Sequence, residues 1–431
     1  MSLARESDML EKSVEHLVKL TMRSSAWYGD KEIFLTFPRE WDVEKCLMNG
    51  HAEKALSRDD FRERLVHPVG TRALNELAKG KRECVVIVDD LTRPTKADQI
   101  IPAVLEELHK GGLDDSHIRF VMGLGAHHFM LLDDLAKKLG SDIPDRYCVF
   151  NHNVYENNLR LGETSFGTPV AINREVMECD LKVAIGGIMP HRTAGFGGGA
   201  KLILPGVASI ETIEHNHAHV RSGRGEGRIN SNESRLDMEE AARMAGLDFI
   251  VNSIFNADRD SCELVCGDVV EAHRAGLKIA RRNYLTRIVQ EADVAVVNGY
   301  PMENEAYKVF STTIESVKEG EDVVVLLHTP ESSRGHYYNG RFGSNFGGRG
   351  WGPDVYLKKP WKMGRVIVVS PWHSLVDEWY FGVDSQWVKS WDQALNLLLE
   401  KQRARYRHSK IRAAVYPYAT LQISENIASY T

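Results

Sequence analysis

Short, unbroken runs of β-branched and aliphatic residues recur along this chain, each followed by a polar turn and then by a helical pattern. Cys84–Val88 reads C-V-V-I-V, Ile118–Met122 reads I-R-F-V-M and Leu181–Ile185 reads L-K-V-A-I. A strand that is apolar in this way has to be covered on both faces, which is the condition of a parallel sheet with helices on either side. Val104, Leu105 and Leu108 predict a helix that stops at Gly111 and Gly112, with Asp98 as a suitable N-cap, and Leu131–Leu139 predicts another. A long helical pattern from Val269 to Glu291 precedes a second series of runs: Val294–Val297, Val323–Leu327 and Val366–Val369. At 431 residues the chain exceeds one typical core. The expected fold class is therefore α/β, with two domains built on Rossmann-like, mainly parallel sheets. Residues 1–285 form the expected N-terminal cofactor-binding and catalytic domain. Residues 286–431 form a C-terminal α/β domain, with the last residues expected to pack back on the first.

Composition narrows the partners. A net charge of −6 disfavours nucleic acid or an anionic membrane as the main target. No run of eighteen apolar residues offers a membrane span, and the first residues, M-S-L-A-R-E-S-D, lack a signal-peptide core. The six cysteines are scattered, and Cys262 and Cys266 have neither zinc nor redox spacing. Reduced thiols in a cytoplasmic enzyme are expected.

The densest chemical signal runs from Pro190 to Gly206, P-H-R-T-A-G-F-G-G-G-A-K-L-I-L-P-G. Gly197, Gly198 and Gly199 let backbone approach a ligand closely, and bare N–H groups in such a turn make an anion-binding concavity. Lys201 emerges into the apolar Leu202-Ile203-Leu204, where an amine can lose its proton and act as a nucleophile. The segment is not a Walker loop, because Leu202 stands where a hydroxyl should hold magnesium. A glycine-rich surface turn with a solvated lysine is the structural alternative.

Histidines cluster beside other signals. His127 and His128 follow the turn G-L-G-A, His191 opens the glycine segment, and His215, His217 and His219 alternate in E-H-N-H-A-H. On a strand all three of the last group would share a face and could bind a metal; on a helix only His215 and His219 would. Glu211 and Glu214 lie nearby, which keeps a metal-dependent hydrolase open. Asp90, Thr92 and Arg93 form a polar knot after the first strand. Arg93 there is either a fork for a phosphate or carboxylate, or a salt-bridge partner that fixes the turn.

D-x-T-R-P at 90–94, G-A-H at 125–127, P-H-x-x-A-G-F-x-G-G-x-K at 190–201, L-P-G at 204–206 and N-H at 216–217 occur in that order. Together they resemble the nickel-dependent lactate racemase family over residues 85 to 220, with weaker similarity beyond. The resemblance implies a two-domain α/β fold with the active site between the domains. It also implies a nickel-pincer nucleotide, a pyridinium mononucleotide tethered through a thioamide to a lysine. By motif Lys201 is the tether and His217 the protein ligand to nickel, with His215 and His219 as fallback choices. His127 and His191 are the paired acid/base residues, and Asp90, Thr92 and Arg93 contact cofactor or substrate.

The implied partners are a small 2-hydroxy acid and the enzymes that build the cofactor. The implied reaction inverts C2 by moving hydrogen as hydride, with one histidine for each face. One departure bears on substrate. Lactate-specific members carry a glutamine and a lysine after a tyrosine, where this chain has Lys308 and Ser311 in P-M-E-N-E-A-Y-K-V-F-S. The carboxylate is then left to Lys308 or to an arginine of the 334–349 loop, part of the glycine-rich segment from Arg334 to Pro353 that reads as a lid or as a merely flexible surface loop. A larger or more polar acid than lactate is expected. A metal-dependent hydrolase using His215–His219, or a non-catalytic nucleotide-binding protein, are the competing readings.

Overall fold

The computed structural model describes residues 17–331, 362–373, 378, 381, 384–405 and 410–429. Three strands open this chain: β1 (Leu17–Ser24), β2 (Lys31–Pro38) and β3 (Asp42–Lys45). Next come β4 (Cys84–Asp89), β5 (Ile118–Gly123), β6 (Cys148–Asn151), β7 (Asn158–Glu163), β8 (Pro169–Asn173) and β9 (Leu181–Gly187). Two short strands, β10 (Pro190–His191) and β11 (Gly195–Phe196), precede β12 (Phe249–Phe255) and β13 (Ser261–Gly267). The series closes with β14 (Ala292–Asn298), β15 (Val317–Leu326), β16 (Val366–Val369), β17 (Gln386–Val388) and β18 (Arg412–Tyr416). The fold is mixed α/β with mainly parallel sheets.

The chain separates into two compact units. Among the described residues, one contains 48–285 and 423–429; the other contains 17–47 and those between Thr286 and Gln422. The first unit is built on a six-stranded sheet in the order β13-β12-β9-β4-β5-β6, parallel except for the β12–β13 edge pair. Every residue of β4 and β9 is buried, as two covered faces require. The helix Ala97–Lys110 crosses from β4 to β5 and turns Ile100, Ile101, Val104, Leu105 and Leu108 inward. Asp98 lies in its first turn. The residue preceding the helix is Lys96, which makes no side-chain cap, so the expected N-cap is displaced.

The helical pattern of 269–291 resolves into a helix over Glu271–Tyr284. Leu285 then turns extended and bridges Ile423 in parallel. β12 and β13 carry no clean apolar run because Asn252, Ser253 and Ser261 stand inside them, fully buried and hydrogen-bonded.

The second unit has a six-stranded, all-parallel sheet in the order β17-β16-β15-β14-β18-β3. Its edge strand β3 comes from the N-terminal end of the chain, in register with β18 from Asp42 against Arg412 to Lys45 against Val415. The division therefore differs from the expected split of 1–285 and 286–431. Short and partly polar, D-V-E-K has no pattern that announces a strand; its partner β18 supplies the ladder. The β1–β2 hairpin covers one face of this sheet. Phe37 sits there with its ring 4.9 Å from Trp391 and 6.1 Å from Trp41.

Phe37→Ala should destabilise the second unit by about 3–5 kcal/mol, the cost of an aromatic cavity in a packed core. Urea unfolding followed by tryptophan fluorescence checks this. An unchanged transition would mean that the N-terminal hairpin contributes nothing to that core.

Candidate active site

In the first unit the chain leaves β4 toward β5 and β6 on one side, while β9 and β12 lie on the other. Loops leaving the carboxyl ends of β4 and β9 therefore diverge, and such a topological switch point is where open α/β sheets bind ligands. Asp90, Thr92 and Arg93 follow β4, His127 follows β5, and His191 and Lys201 follow β9. Two of these loops are stitched together, since the N–H of Gly125 donates to the carbonyl of Gly206 at 2.8 Å.

Asp90 is buried and organises the first group. Its Oδ1 accepts the backbone N–H of Thr92 at 2.9 Å and the Thr92 hydroxyl at 2.5 Å. Its Oδ2 lies 2.6 Å from His127 Nδ1. The Nδ1–H donates to that carboxylate, which leaves the Nε2 lone pair of a neutral imidazole uncommitted to Asp90. Arg93 Nη1 donates to the Thr92 hydroxyl at 2.8 Å and to its carbonyl at 3.1 Å. Beneath this turn the fully buried Lys138 pairs with Asp89 at 2.7 Å and donates to the Arg93 carbonyl at 3.2 Å. Thr95 donates to the other oxygen of Asp89 at 2.7 Å. Nothing in the sequence marked Lys138, which sits among helix residues that read as solvent-facing.

The glycine segment differs from the anion cradle expected of it. The N–H of Gly197 donates to the Met189 carbonyl at 2.7 Å and that of Gly199 to Asn252 Oδ1 at 2.8 Å. Those two donors are thus spent inside the protein. The glycines serve close packing instead. A Cβ on Gly198, at φ +74°, would lie 2.8 Å from Asn252 Oδ1, and one on Gly199, at φ +58°, would lie 2.8 Å from Arg235 Nη2. Arg235 donates to the carbonyls of Gly198 and Phe196 at 3.1 and 3.4 Å, and His273 Nε2 donates to that of Gly197 at 2.9 Å. The Arg235 guanidinium, fully buried, is balanced by Glu239 at 2.8 Å, which Arg274 also grips. Burial and the Arg235 charge hold His273 neutral, well below the usual histidine range.

This clamp sets Lys201, buried in a single 3₁₀ turn over Gly199–Leu202, with Nζ 3.3 Å from His191 Nε2. His217 lies on the helix Ile210–Ala218, where its Nδ1 donates to the Ile213 carbonyl at 3.0 Å. Its pKa is pushed down to about 3 by burial, then by the Lys201 amine and the Arg224 guanidinium. At neutral pH His217 is therefore an uncharged imidazole whose Nε2 carries the lone pair, the form that binds a metal. Arg224 also caps that helix, donating to the carbonyls of His217 and Asn216 at 3.0 and 2.6 Å.

Because H-x-H-x-H is helical, its three rings do not converge. His215 and His219 share a face with centroids 5.1 Å apart, and His215 Nδ1 is 2.9 Å from the Thr168 hydroxyl, itself bound to the buried Asp237. Among the described residues no group of three or more His, Cys, Asp or Glu is placed to hold a metal ion. The ligand set required by the hydrolase reading is therefore not assembled among these residues.

In the second unit, Lys308 is buried in an ion pair with Glu305. Its charge is already balanced there, so it does not stand out as a substrate cation. Ser311 is partly buried near the start of the helix Phe310–Ser316. The 334–349 loop lies outside the described residues. Glu303, after β14, accepts the N–H groups of Ser25 and Ala26 at 2.9 and 2.8 Å. Burial outweighs those bonds and pushes its carboxyl up to about 7.

A family model described as the lactate racemase N-terminal domain matches residues 28–227. A lactate racemase from Lactiplantibacillus plantarum is 30% identical over 298 residues, which cover 66% of this chain and 70% of that protein. One from Thermoanaerobacterium thermosaccharolyticum is 29% identical over 327 residues, 72% of this chain and 74% of that protein. The solved apoprotein structure of the lactate racemase from the latter organism aligns with a TM-score of 0.70 at 22% identity, over 94% of this chain and 100% of that one. A Thermotoga maritima protein aligns with a TM-score of 0.63 at 17% identity, over 88% and 100%. These structural likenesses show a shared fold.

Arg235→Ala would leave Glu239 held by Arg274 but remove the Arg235 donors from the Phe196 and Gly198 carbonyls, costing roughly 1–3 kcal/mol; a lower melting temperature checks it. Glu303 gives a pH dependence. A carboxyl raised on folding binds its proton more tightly in the folded state, so the second unit should lose stability as pH rises from 4.5 toward 7. The loss is roughly 3 kcal/mol at most. Urea titrations across that range should show the slope in the native chain and its absence in Glu303→Gln.

Proposed function

Because the chain belongs to the lactate racemase family, we propose that it inverts C2 of a 2-hydroxy acid by hydride transfer, with His127 and His191 as acid and base and a nickel-pincer nucleotide tethered at Lys201. The protein is an isomerase of the racemase type. The observation that carries the finer reading is the convergence at one sheet edge of a buried Asp90–His127 pair and a part-buried His191–Lys201 pair.

The donor set fits the proposed group. His217 has Nδ1 committed to Ile213 and its other nitrogen in ligand form, while Lys201 offers a buried amine for covalent attachment. When bound, the nucleotide would supply the hydride acceptor that lets C2 pass through a planar 2-keto acid. The chain's own residues do the rest. His127 takes the hydroxyl proton at Nε2, and the Asp90 carboxylate stabilises the imidazolium that results. His191 presents Nε2 for the opposite face. Arg93, steadied by Thr92, is the proposed fork for the substrate carboxylate. The substrate is proposed to be bulkier or more polar than lactate, because Lys308 is spent on Glu305 and Ser311 carries no charge.

No helix among the described residues is long and apolar enough to cross a membrane. All six cysteines are free thiols, which supports the proposed reducing, cytoplasmic setting; the cofactor-building enzymes are proposed partners on the family resemblance alone.

Protein made alongside those enzymes should show a mass adduct mapping to Lys201 and bound nickel. An unmodified chain without nickel would sink the cofactor assignment. In loaded protein, screened with chiral 2-hydroxy acids, His127→Ala and His191→Ala should abolish racemisation. Asp90→Asn should lower kcat by about 10²-fold or more, the scale of a positioned acid/base. Full activity in any of the three variants would reject the assigned roles.

A further inference from the structure

The helix Ile210–Ala218 is nine residues long and carries His217 one residue from its end, where helices fray. Its last turn is nevertheless tied down residue by residue. Asn216, fully buried, donates through Nδ2 to Asp237 Oδ2 at 2.7 Å and to the Ser234 carbonyl at 3.0 Å. On the other side of the turn, His215 Nδ1 lies 2.9 Å from the Thr168 hydroxyl, which donates onward to Asp237 Oδ2 at 2.7 Å. Asp237 Oδ1 accepts the Thr164 hydroxyl at 2.6 Å. These partners are two hydroxyls and an amide, so no ion pair among the described residues offsets the fully buried carboxylate. Burying such a group is costly unless every oxygen is hydrogen-bonded, which holds Asp237 and its donors in one arrangement.

The same element reaches the lysine turn. Asp237 lies on the helix Glu233–Met244 two positions after Arg235, and residues two apart point to opposite sides of a helix. Arg235 grips the carbonyls of Gly198 and Phe196 at 3.1 and 3.4 Å, just ahead of Lys201. We infer that Asp237 is the positioning residue of His217, and that the helix Glu233–Met244 gauges the separation between His217 and Lys201. The inference rests on the proposed tether and ligand and adds how their spacing is held. A group joined to Lys201 and bound by His217 touches both, and such sites tolerate errors of only about 0.5 Å. The Nδ1–H bond to the Ile213 carbonyl orients the His217 ring but does not stop the last turn from unwinding. Asp237 does, because unwinding would strip the Asn216 donor from a carboxylate that water does not reach.

Hydrogen exchange on the bare, full-length chain, followed by peptide mass spectrometry, reads this grip directly. In Asp237→Ala the amides of 215–219 should exchange about tenfold faster or more, the scale of losing a buried hydrogen bond to a charged group. Those of β4 and β9 should keep their wild-type rates. Asp237→Asn, whose amide oxygen still accepts from Asn216, should restore most of the protection. Should Asp237→Ala fail to fold, Asn216→Ala, which removes the direct arm alone, carries the same expectation. In chain co-produced with the cofactor-building enzymes, the alanine variant should keep the mass adduct at Lys201. It should nevertheless release nickel to EDTA about tenfold faster or more, the scale for an outer partner of a ligating histidine. A merely structural role would lower global stability and leave the ratio of nickel to adduct unchanged. Wild-type exchange at 215–219 in both alanine variants, or faster exchange with unaltered nickel release, would overturn the inference. A wild-type chain with neither adduct nor nickel would sink the cofactor reading, and the exchange rates would then decide alone whether Asp237 holds the helix end.

Discussion

The parallel pairing of β4 with β9 is the constraint on which the candidate site depends. Cys84 faces Leu181 and Val88 faces Ile185, so both strands end on the same edge of the sheet. Each strand is buried throughout, and no register other than one that keeps both faces covered satisfies those side chains. At the end of β4 the chain turns toward β5; beyond β9 it folds back as the β10–β11 hairpin and then enters the lysine turn. Residues about a hundred positions apart in sequence are brought to one rim because a parallel sheet sends all its carboxyl ends the same way.

Above that edge the geometry is held by buried charge. Lys138 and Asp89 support the 89–95 turn from below, while Arg235, Glu239 and Arg274 support the glycine segment. Buried pairs of this kind add little net stability, but each strongly penalises loss of a partner. They fix loops that contain few apolar anchors of their own. Thus the flexible-looking stretch P-H-R-T-A-G-F-G-G-G-A-K is largely buried, and its glycines fit closely against Asn252, Arg235 and His273.

The histidines show how context divides one residue type into several roles. His152 and His273 are buried, neutral and bonded to backbone carbonyls, and they hold structure. His127 and His191 are oriented through Nδ1 in opposite senses, one donating a hydrogen bond to Asp90 and the other accepting two from backbone N–H groups. His217 donates an Nδ1–H hydrogen bond to the Ile213 carbonyl of the helix that carries it. Tautomer and hydrogen-bond partner together set what each ring's other nitrogen can offer.

The apolar runs of β4, β5, β9, β14, β15 and β16 were legible in the sequence, because a strand covered on both faces must be apolar throughout. The ordered motifs from Asp90 to His217 were legible too, since turn residues after strands are local signals. Tertiary structure alone decided the remainder. β3 became a strand of the second unit only because β18 offers it a ladder, and β12 and β13 hide buried polar residues that interrupt any pattern. The N–H groups of Gly197 and Gly199 could face a ligand or the protein, and the positions of Met189 and Asn252 settled the choice. Lys138 found Asp89, 49 positions earlier, only on folding, whereas Arg235 and Glu239 are an i,i+4 pair on one helix whose burial is what the tertiary structure added. Charge pairing across long sequence separations leaves no periodic trace, and only packing reveals which cations are buried.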